Sequence, residues 1–272
     1  MKKLNKTYVK SILKLRKSDS HKGTYGHALI IAGSMGKMGA AMIASKACLR
    51  SGIGLLTVNV PEDERQIIQN GLPEAMIAVR QIKLSQLESF QSIGIGPGLG
   101  TDKKSERLVR SALSASIPLV LDADALNVIS KKKWITIIPK ESIITPHPKE
   151  FDRLFGEHKS KEERRQKAIK IAKECGIIIV LKGHETFICG PEISFINTSG
   201  NAGLAKGGSG DALTGIIAAF LAQGYMAIDA ALIGVYIHGL AADICLKEQS
   251  MESMLIGDVI ENLGNAFKKI AK

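Results

Sequence analysis

Asn197 to Gly215 reads N-T-S-G-N-A-G-L-A-K-G-G-S-G-D-A-L-T-G. Five glycines, at positions 200, 203, 207, 208 and 210, fall within eleven residues. They stop where an apolar helical pattern begins: Ala212, Leu213, Ile216, Ile217, Phe220, Leu221. Glycines let the backbone turn its N–H groups toward one point, and a helix start adds unpaired amides and the positive end of a dipole. That combination suits phosphate or another anion. Asp211 has two readings here. A carboxylate in this position can cap the helix, or it can sit beside a bound phosphate as general base for a hydroxyl attacking phosphorus.

The chain has 272 residues, enough for one large domain. Lys and Arg number 37 against 26 Asp and Glu, a net charge of +11. The excess is concentrated: residues 1–17 hold seven basic side chains and no acid, and the C-terminus ends K-K-I-A-K. No basic stretch is interleaved with aromatics, so solvated surface that attracts a polyanionic small molecule fits better than nucleic-acid binding. Cys48, Cys175, Cys189 and Cys245 lack C-x-x-C spacing, the pattern of buried thiols in a reducing compartment. The leader has no apolar h-region, and Ile12, Leu13 and Leu15 fit an ordinary surface helix. The long apolar region 212–246 is broken by Gln223, Gly224, Asp229 and His238, so no membrane span is expected. The expectation is a cytoplasmic protein.

Upstream, His21-Lys22-Gly23-Thr24-Tyr25-Gly26 precedes an apolar run, Ala28 to Ala32. A Gly-rich loop, residues 33–39, then leads into a helix from Ala40 to Arg50 and a strand from Leu55 to Val60. This is a βαβ unit of a parallel sheet. The loop is no Walker A motif; it is either a packing turn or a place where backbone approaches a ligand, with Ala40 leaving room. A second strand-loop, Ser92 to Gly100, carries Gly96-Pro97-Gly98-Leu99-Gly100 at the carboxyl edge of the sheet, where doubly wound folds bind ligands. Pro118 to Leu121 ends in Asp122 and Asp124, which can hold a metal or a ribose, or cap the next helix. The strand Ser142 to Thr145 ends in Pro146-His147-Pro148; His147 is either a cap-side residue or a ligand contact. In the charged helix 161–175, Arg164 and Arg165 read as solvated. Ile177 to Leu181 ends in Lys182-Gly183-His184-Glu185-Thr186, where a lysine can reach a nucleotide phosphate. Short strands at 186–189 and 193–196 follow, then helices at 211–222, 227–247 and about 257–270. The alternation describes one α/β sandwich over residues 1–272, with residues 1–20 as a basic helical extension.

Six motifs in this order, H-K-G-T-Y-G, G-P-G-L-G, L-D-A-D-A-L-N, T-P-H-P-K-E-F, L-K-G-H-E-T and the opening stretch, closely resemble the ADP/ATP-dependent NAD(P)H-hydrate dehydratases of the ribokinase-like superfamily. The resemblance runs from about residue 21 to 245. Two departures are minor: Ala202 stands where the family usually has Pro, and Ser209 where it often has Thr. The resemblance implies a three-layer α/β/α sandwich with a mostly parallel sheet and no separate lid domain. It implies a repair enzyme that phosphorylates the C6 hydroxyl of hydrated NADH or NADPH and eliminates phosphate. Asp211 would be the base, and Gly208, Ser209 and Gly210 would offer amides to the phosphate. Lys182, Gly183, His184, Glu185, Thr186 and Gly210 would line the nucleotide site. Ala40, Gly98, His147 and Asp211 would contact the hydrated dinucleotide. Mg²⁺ would bridge phosphate oxygens, with Asp122 and Asp124 as candidate ligands. A homo-oligomer and a separately encoded epimerase are also expected. The alternative within the fold is a small-molecule kinase of the thiazole or hydroxymethylpyrimidine type.

Overall fold

Strands that read as unbroken Ile, Leu and Val runs lie at the centre of a sheet covered on both faces, because neither face then needs a polar alternation. A computed structural model describes residues 2–80 and 84–272. Its strands are β1 (Lys2–Leu4), β2 (His27–Ile31), β3 (Leu55–Val60), β4 (Met76–Val79) and β5 (Ser92–Ile95), then β6 (Leu119–Leu121), β7 (Ile143–Ile144), β8 (Ile178–Leu181), β9 (Thr186–Cys189) and β10 (Ser194–Asn197). They form one sheet in the order β1-β10-β9-β8-β7-β6-β5-β2-β3-β4. All neighbours are parallel except at β9, which runs antiparallel to both β8 and β10. Alternate residues of β2 face opposite ways: Ala28 and Ile30 enter one apolar cluster, Leu29 and Ile31 the other.

Helices α1 (Lys6–Ile12), α2 (Met38–Arg50) and α3 (Arg65–Gly71) precede α4 (Leu84–Leu87), α5 (Lys103–Leu113) and α6 (Ala123–Lys132). They are followed by α7 (Pro148–Phe155), α8 (Lys161–Cys175), α9 (Ser209–Ala222), α10 (Ala227–Cys245), α11 (Ile256–Glu261) and α12 (Leu263–Ala271). Helices α2, α9 and α10 pack on one face with α1, α3, α11 and α12; α4 to α8 cover the other. The result is the three-layer α/β/α sandwich with a mostly parallel sheet. Among the described residues only α10 is long and apolar enough to cross a membrane, and 78% of its apolar window is buried inside the protein, as a core helix is.

Three expectations need correction. The N-terminal segment is no simple surface helix: β1 pairs with β10, and Leu4 and Val9 are buried. The final helix is two, α11 and α12, meeting at Asn262, whose side chain bonds back to Asp258 O. Arg164 and Arg165 are not merely solvated. Arg164 grips Asp152 with a forked pair, Nε donating to Oδ1 and Nη2 to Oδ2, and Arg165, 8% exposed, reaches Glu185 at 3.3 Å. Helical periodicity places both on one turn of α8 but carries no record of the acids on other elements.

Candidate active site

Five elements meet at the carboxyl edge of the sheet: the ends of β5, β6, β7 and β8, and the start of α9. Glycine opens α9. Gly208 adopts φ +94°, a left-handed conformation that a residue with a side chain resists, and no side chain caps the first turn. The amides that begin the helix therefore face an anion with little competition, the Ser209 amide making only a 3.4 Å bond to Lys206 O. Asp211 lies in that first turn but is not the cap.

Asp122 follows β6 and Lys182 follows β8. Their side chains meet across β7, Lys182 Nζ donating to Asp122 Oδ1 at 2.7 Å. Thr214 Oγ1 donates to the other Asp122 oxygen at 3.0 Å. Burial alone would push the Asp122 carboxyl up, but the Lys182 ammonium and the hydrogen bonds hold it below the usual carboxylate range. Burial likewise opposes the charge on Lys182, and Asp122, Glu150 and Asp211 together raise it above an ordinary lysine. Gly210 fits directly against this pair: an added Cβ would stand 3.2 Å from both Asp122 Oδ2 and Lys182 Nζ.

Asp211 is different. Burial first, then the neighbouring Asp122, push its carboxyl up to about 6, with Lys182 pulling the other way. Its carboxylate accepts no hydrogen bond from the described side chains. It is ionised near neutrality yet far more basic than a free aspartate, the condition for a general base.

His147 is a cap residue that also faces a cleft. Its Nδ1 accepts from the Lys149 and Glu150 amides, and Glu150 Oε2 accepts from the His147 amide at 2.9 Å, a capping box that starts α7. The same ring lines a cleft of about 590 Å³ shared with Lys182, Gly183, His184, Thr186, Ser209 and Gly210. Glu185 is not part of that lining; its carboxylate is held by Lys161 and Arg165.

Ala40 and Gly98 form a separate corner. Gly98 has φ +60°, and an added Cβ would lie 3.0 Å from Ala40 Cβ and 2.8 Å from Lys37 O. Ser34 Oγ donates to Gly98 O at 2.8 Å and Gly33 N to Pro97 O at 2.8 Å, so the two Gly-rich loops are joined. Asp124 serves this corner too. Its oxygens accept from Gly100 N and Asn127 Nδ2, so the carboxylate also holds the second Gly-rich loop. Between the two acids, Ala123 takes φ +46°, and the consecutive carboxylates diverge to different partners. Neither Ala40 nor Gly98 lines the cleft that holds Lys182.

Several residues escaped the sequence reading. Glu150 lies 3.9 Å from Lys182; the capping-box spacing from His147 is the signal that could have found it. Arg80, pushed down to about 10 by burial, donates to the Ala32 and Gly33 carbonyls and so fixes the first Gly-rich loop. Asp243 accepts from Gly200 N and Asn201 Nδ2, tying the N-T-S-G-N wall to α10. His238 and Asp243 are polar residues inside a mostly apolar helix, a visible but ambiguous sign. Among the described residues no group of three or more His, Cys, Asp or Glu is disposed to hold a metal. The site's hard oxygen donors, Asp122 and Glu150, flank Lys182. They suit Mg²⁺, which takes most of its ligands from phosphate and water.

An amide-rich helix start, a half-buried lysine and a basic carboxylate at one sheet edge define a site for phosphoryl chemistry on an α/β/α scaffold. The chain matches the NAD(P)H-hydrate dehydratase family over residues 28–265 and belongs to it. It is 36% identical to the ADP-dependent (S)-NAD(P)H-hydrate dehydratase of Bacillus subtilis, covering 96% of each chain. It is also 36% identical to the bifunctional NAD(P)H-hydrate repair enzyme of Moorella thermoacetica, where 98% of this chain covers 54% of the relative, about half its length. A Bacillus subtilis ADP/ATP-dependent NAD(P)H-hydrate dehydratase co-crystallised with ATP and Mg²⁺ superposes with TM-score 0.88 at 33% identity, over 99% of this chain and 98% of that one. A hydroxyethylthiazole kinase from Pyrococcus horikoshii, 17% identical with TM-score 0.61 over 92% and 91% of the chains, shares the fold alone.

Proposed function

We propose that this chain dehydrates the C6-hydrated (S) form of NADH or NADPH back to the reduced cofactor, using ADP or ATP. One observation carries the reading: a carboxylate raised to about 6, Asp211, stands in the first turn of α9 within the field of Lys182. Asp211 takes the proton from the C6 hydroxyl as its oxygen attacks the terminal phosphorus, and the bond from phosphorus to the nucleotide breaks. The amides at Gly208, Ser209 and Gly210 receive the charge on the transferring group. Hydroxide is a poor leaving group and phosphate a good one. The ring nitrogen's lone pair then expels phosphate from C6, and loss of a proton from C5 restores the dihydronicotinamide. Mg²⁺ would neutralise phosphate charge here, and Asp122 and Glu150 are the carboxylates that would hold it.

In this reading Lys182, Gly183, His184, Glu185, Thr186 and Gly210 serve the nucleotide. Ala40, Gly98, His147 and Asp211 serve the hydrated dinucleotide. The cleft lining supports the first set apart from Glu185, and the Ala40–Gly98 corner supports a second contact region. Cytoplasmic residence, a homo-oligomeric state and work beside an epimerase belong to the same proposal; the bifunctional repair enzymes among the relatives support the last.

The test is recovery of the near-ultraviolet absorbance of reduced nicotinamide. Hydrated NADH is mixed with the protein and Mg²⁺, with ADP, with ATP and with neither. Recovery that needs a nucleotide is expected, and it names the donor. A stable phosphorylated product without recovery would instead identify a small-molecule kinase.

A further inference from the structure

His238 lies on α10 in the wall of the cleft, beside Val235 and Gly239 of the same helix and near Leu213 of α9. The residue is 6% exposed, and its Nε2 has no hydrogen-bond partner among the described residues. Three other buried side-chain atoms, Ser45 Oγ, Ser142 Oγ and Arg165 Nε, share that condition, and none belongs to the cleft lining. A buried polar nitrogen with no partner destabilises a fold, so its retention at a ligand cleft points to a partner supplied by the ligand. Burial and then the nearby Lys182 push the imidazole down to about 4, so at neutral pH the ring is uncharged, with one donor and one acceptor nitrogen. A neutral imidazole holds phosphate weakly. Lys182 and the amides at Ser209 and Gly210 already supply charge for a phosphate, and apolar Leu204, Leu213 and Val235 line the same cleft.

We propose that His238 is a specificity-determining residue of this cleft, hydrogen-bonding the nucleoside half, ribose or base, of the bound nucleotide. The inference rests on the nucleotide-dependent reading above and assigns a polar contact in the cleft beyond those of its charged groups.

Calorimetric titration of Mg²⁺-ADP and of inorganic pyrophosphate into the wild-type protein, His238→Leu and His238→Gln tests it, with thermal melts of the ligand-free proteins. His238→Leu keeps the volume and removes both nitrogens. The expected result is a ligand-free melting temperature at or above wild type and about a tenfold loss of ADP affinity. Pyrophosphate affinity is expected to stay unchanged, and His238→Gln to recover part of the loss. If the ribose is the partner, His238→Leu loses the wild-type preference for ADP over 2′-deoxy-ADP; if the base is, it loses the preference over inosine diphosphate. Equal ADP affinity in wild type and His238→Leu overturns the proposal, as does an equal loss for ADP and pyrophosphate. A wild-type protein that binds no ADP overturns the nucleotide reading itself, a distinguishable outcome. Should His238→Leu fail to fold, ¹⁵N-histidine spectra of the wild type take its place: the His238 Nε2 resonance is expected to move with ADP and not with pyrophosphate, and movement with neither refutes the contact.

Discussion

Asp211 holds a conflict between stability and chemistry. A carboxyl raised to about 6 in the folded state contributes stability only while protonated, below its unfolded value, and loses it as pH rises through about 6. At neutral pH the ionised group therefore weakens the fold. Asp211→Asn is expected to cut turnover by about 1,000-fold, while raising Tm by about 2–6 °C. Turnover and melting of the two proteins check both halves, and near-normal turnover by Asp211→Asn would remove the base assignment. The working form of Asp211 is the ionised one, so kcat/KM is expected to fall below pH about 6, by about tenfold per pH unit at the acid extreme. Asp122 raises Asp211 through charge, so Asp122→Asn shifts that limb to lower pH. An unmoved limb would assign it to the phosphates of the substrates. Residues such as these were legible because glycine, aspartate and lysine sit at strand ends and helix starts, where local sequence states the chemistry. The raised basicity of Asp211 was not legible, because it comes first from burial and then from Asp122, which lies far away in the chain.

At the scale of elements, β6 and β8 present Asp122 and Lys182 to one another over the end of β7, through the registers Val120 with Ile143 and Ile143 with Ile178. Removing one partner leaves a buried charge uncompensated. Lys182→Met is expected to destabilise the protein by about 3–5 kcal/mol, and adding Asp122→Asn to recover most of that while nucleotide affinity stays lost. Denaturant melts and ADP titrations of both single variants and the double variant measure the coupling; strict additivity of the stability effects would show that the pair is not a unit. Sequence reading handled these strands well because β2, β5, β6 and β8 are compact apolar runs. It missed β1 and β4. The three residues of β1 are too few to show an alternation, and Leu4 is buried because β10 lies beside it. Strand β4 sits at the sheet margin with Met76 and Val79 exposed, so it lacks the buried run that marks a central strand.

For the whole molecule, a net charge of +11 surrounds a site proposed to take two polyanions. Long-range attraction of that kind is screened by salt, whereas the buried Lys182–Asp122 pair is screened far less. The expectation is that kcat/KM falls by about threefold or more between about 0.05 and 0.5 M salt while kcat changes little. Initial rates at several ionic strengths check this, and a kcat that falls in step with kcat/KM would place the salt effect at the site instead.

The central strands and the helices between them, the Gly-rich start of α9 and the candidates Asp211, Lys182 and His147 were present in the chain's local pattern. They depend on period, turn chemistry and helix starts, which act over a few residues. The pairing of Asp122 with Lys182, the use of Asp124 to hold Gly100, the turning of Glu185 toward Arg165 and the orphaned nitrogen of His238 were not. Each depends on which distant elements the sheet order brings together, and charge and burial act through space rather than along the sequence.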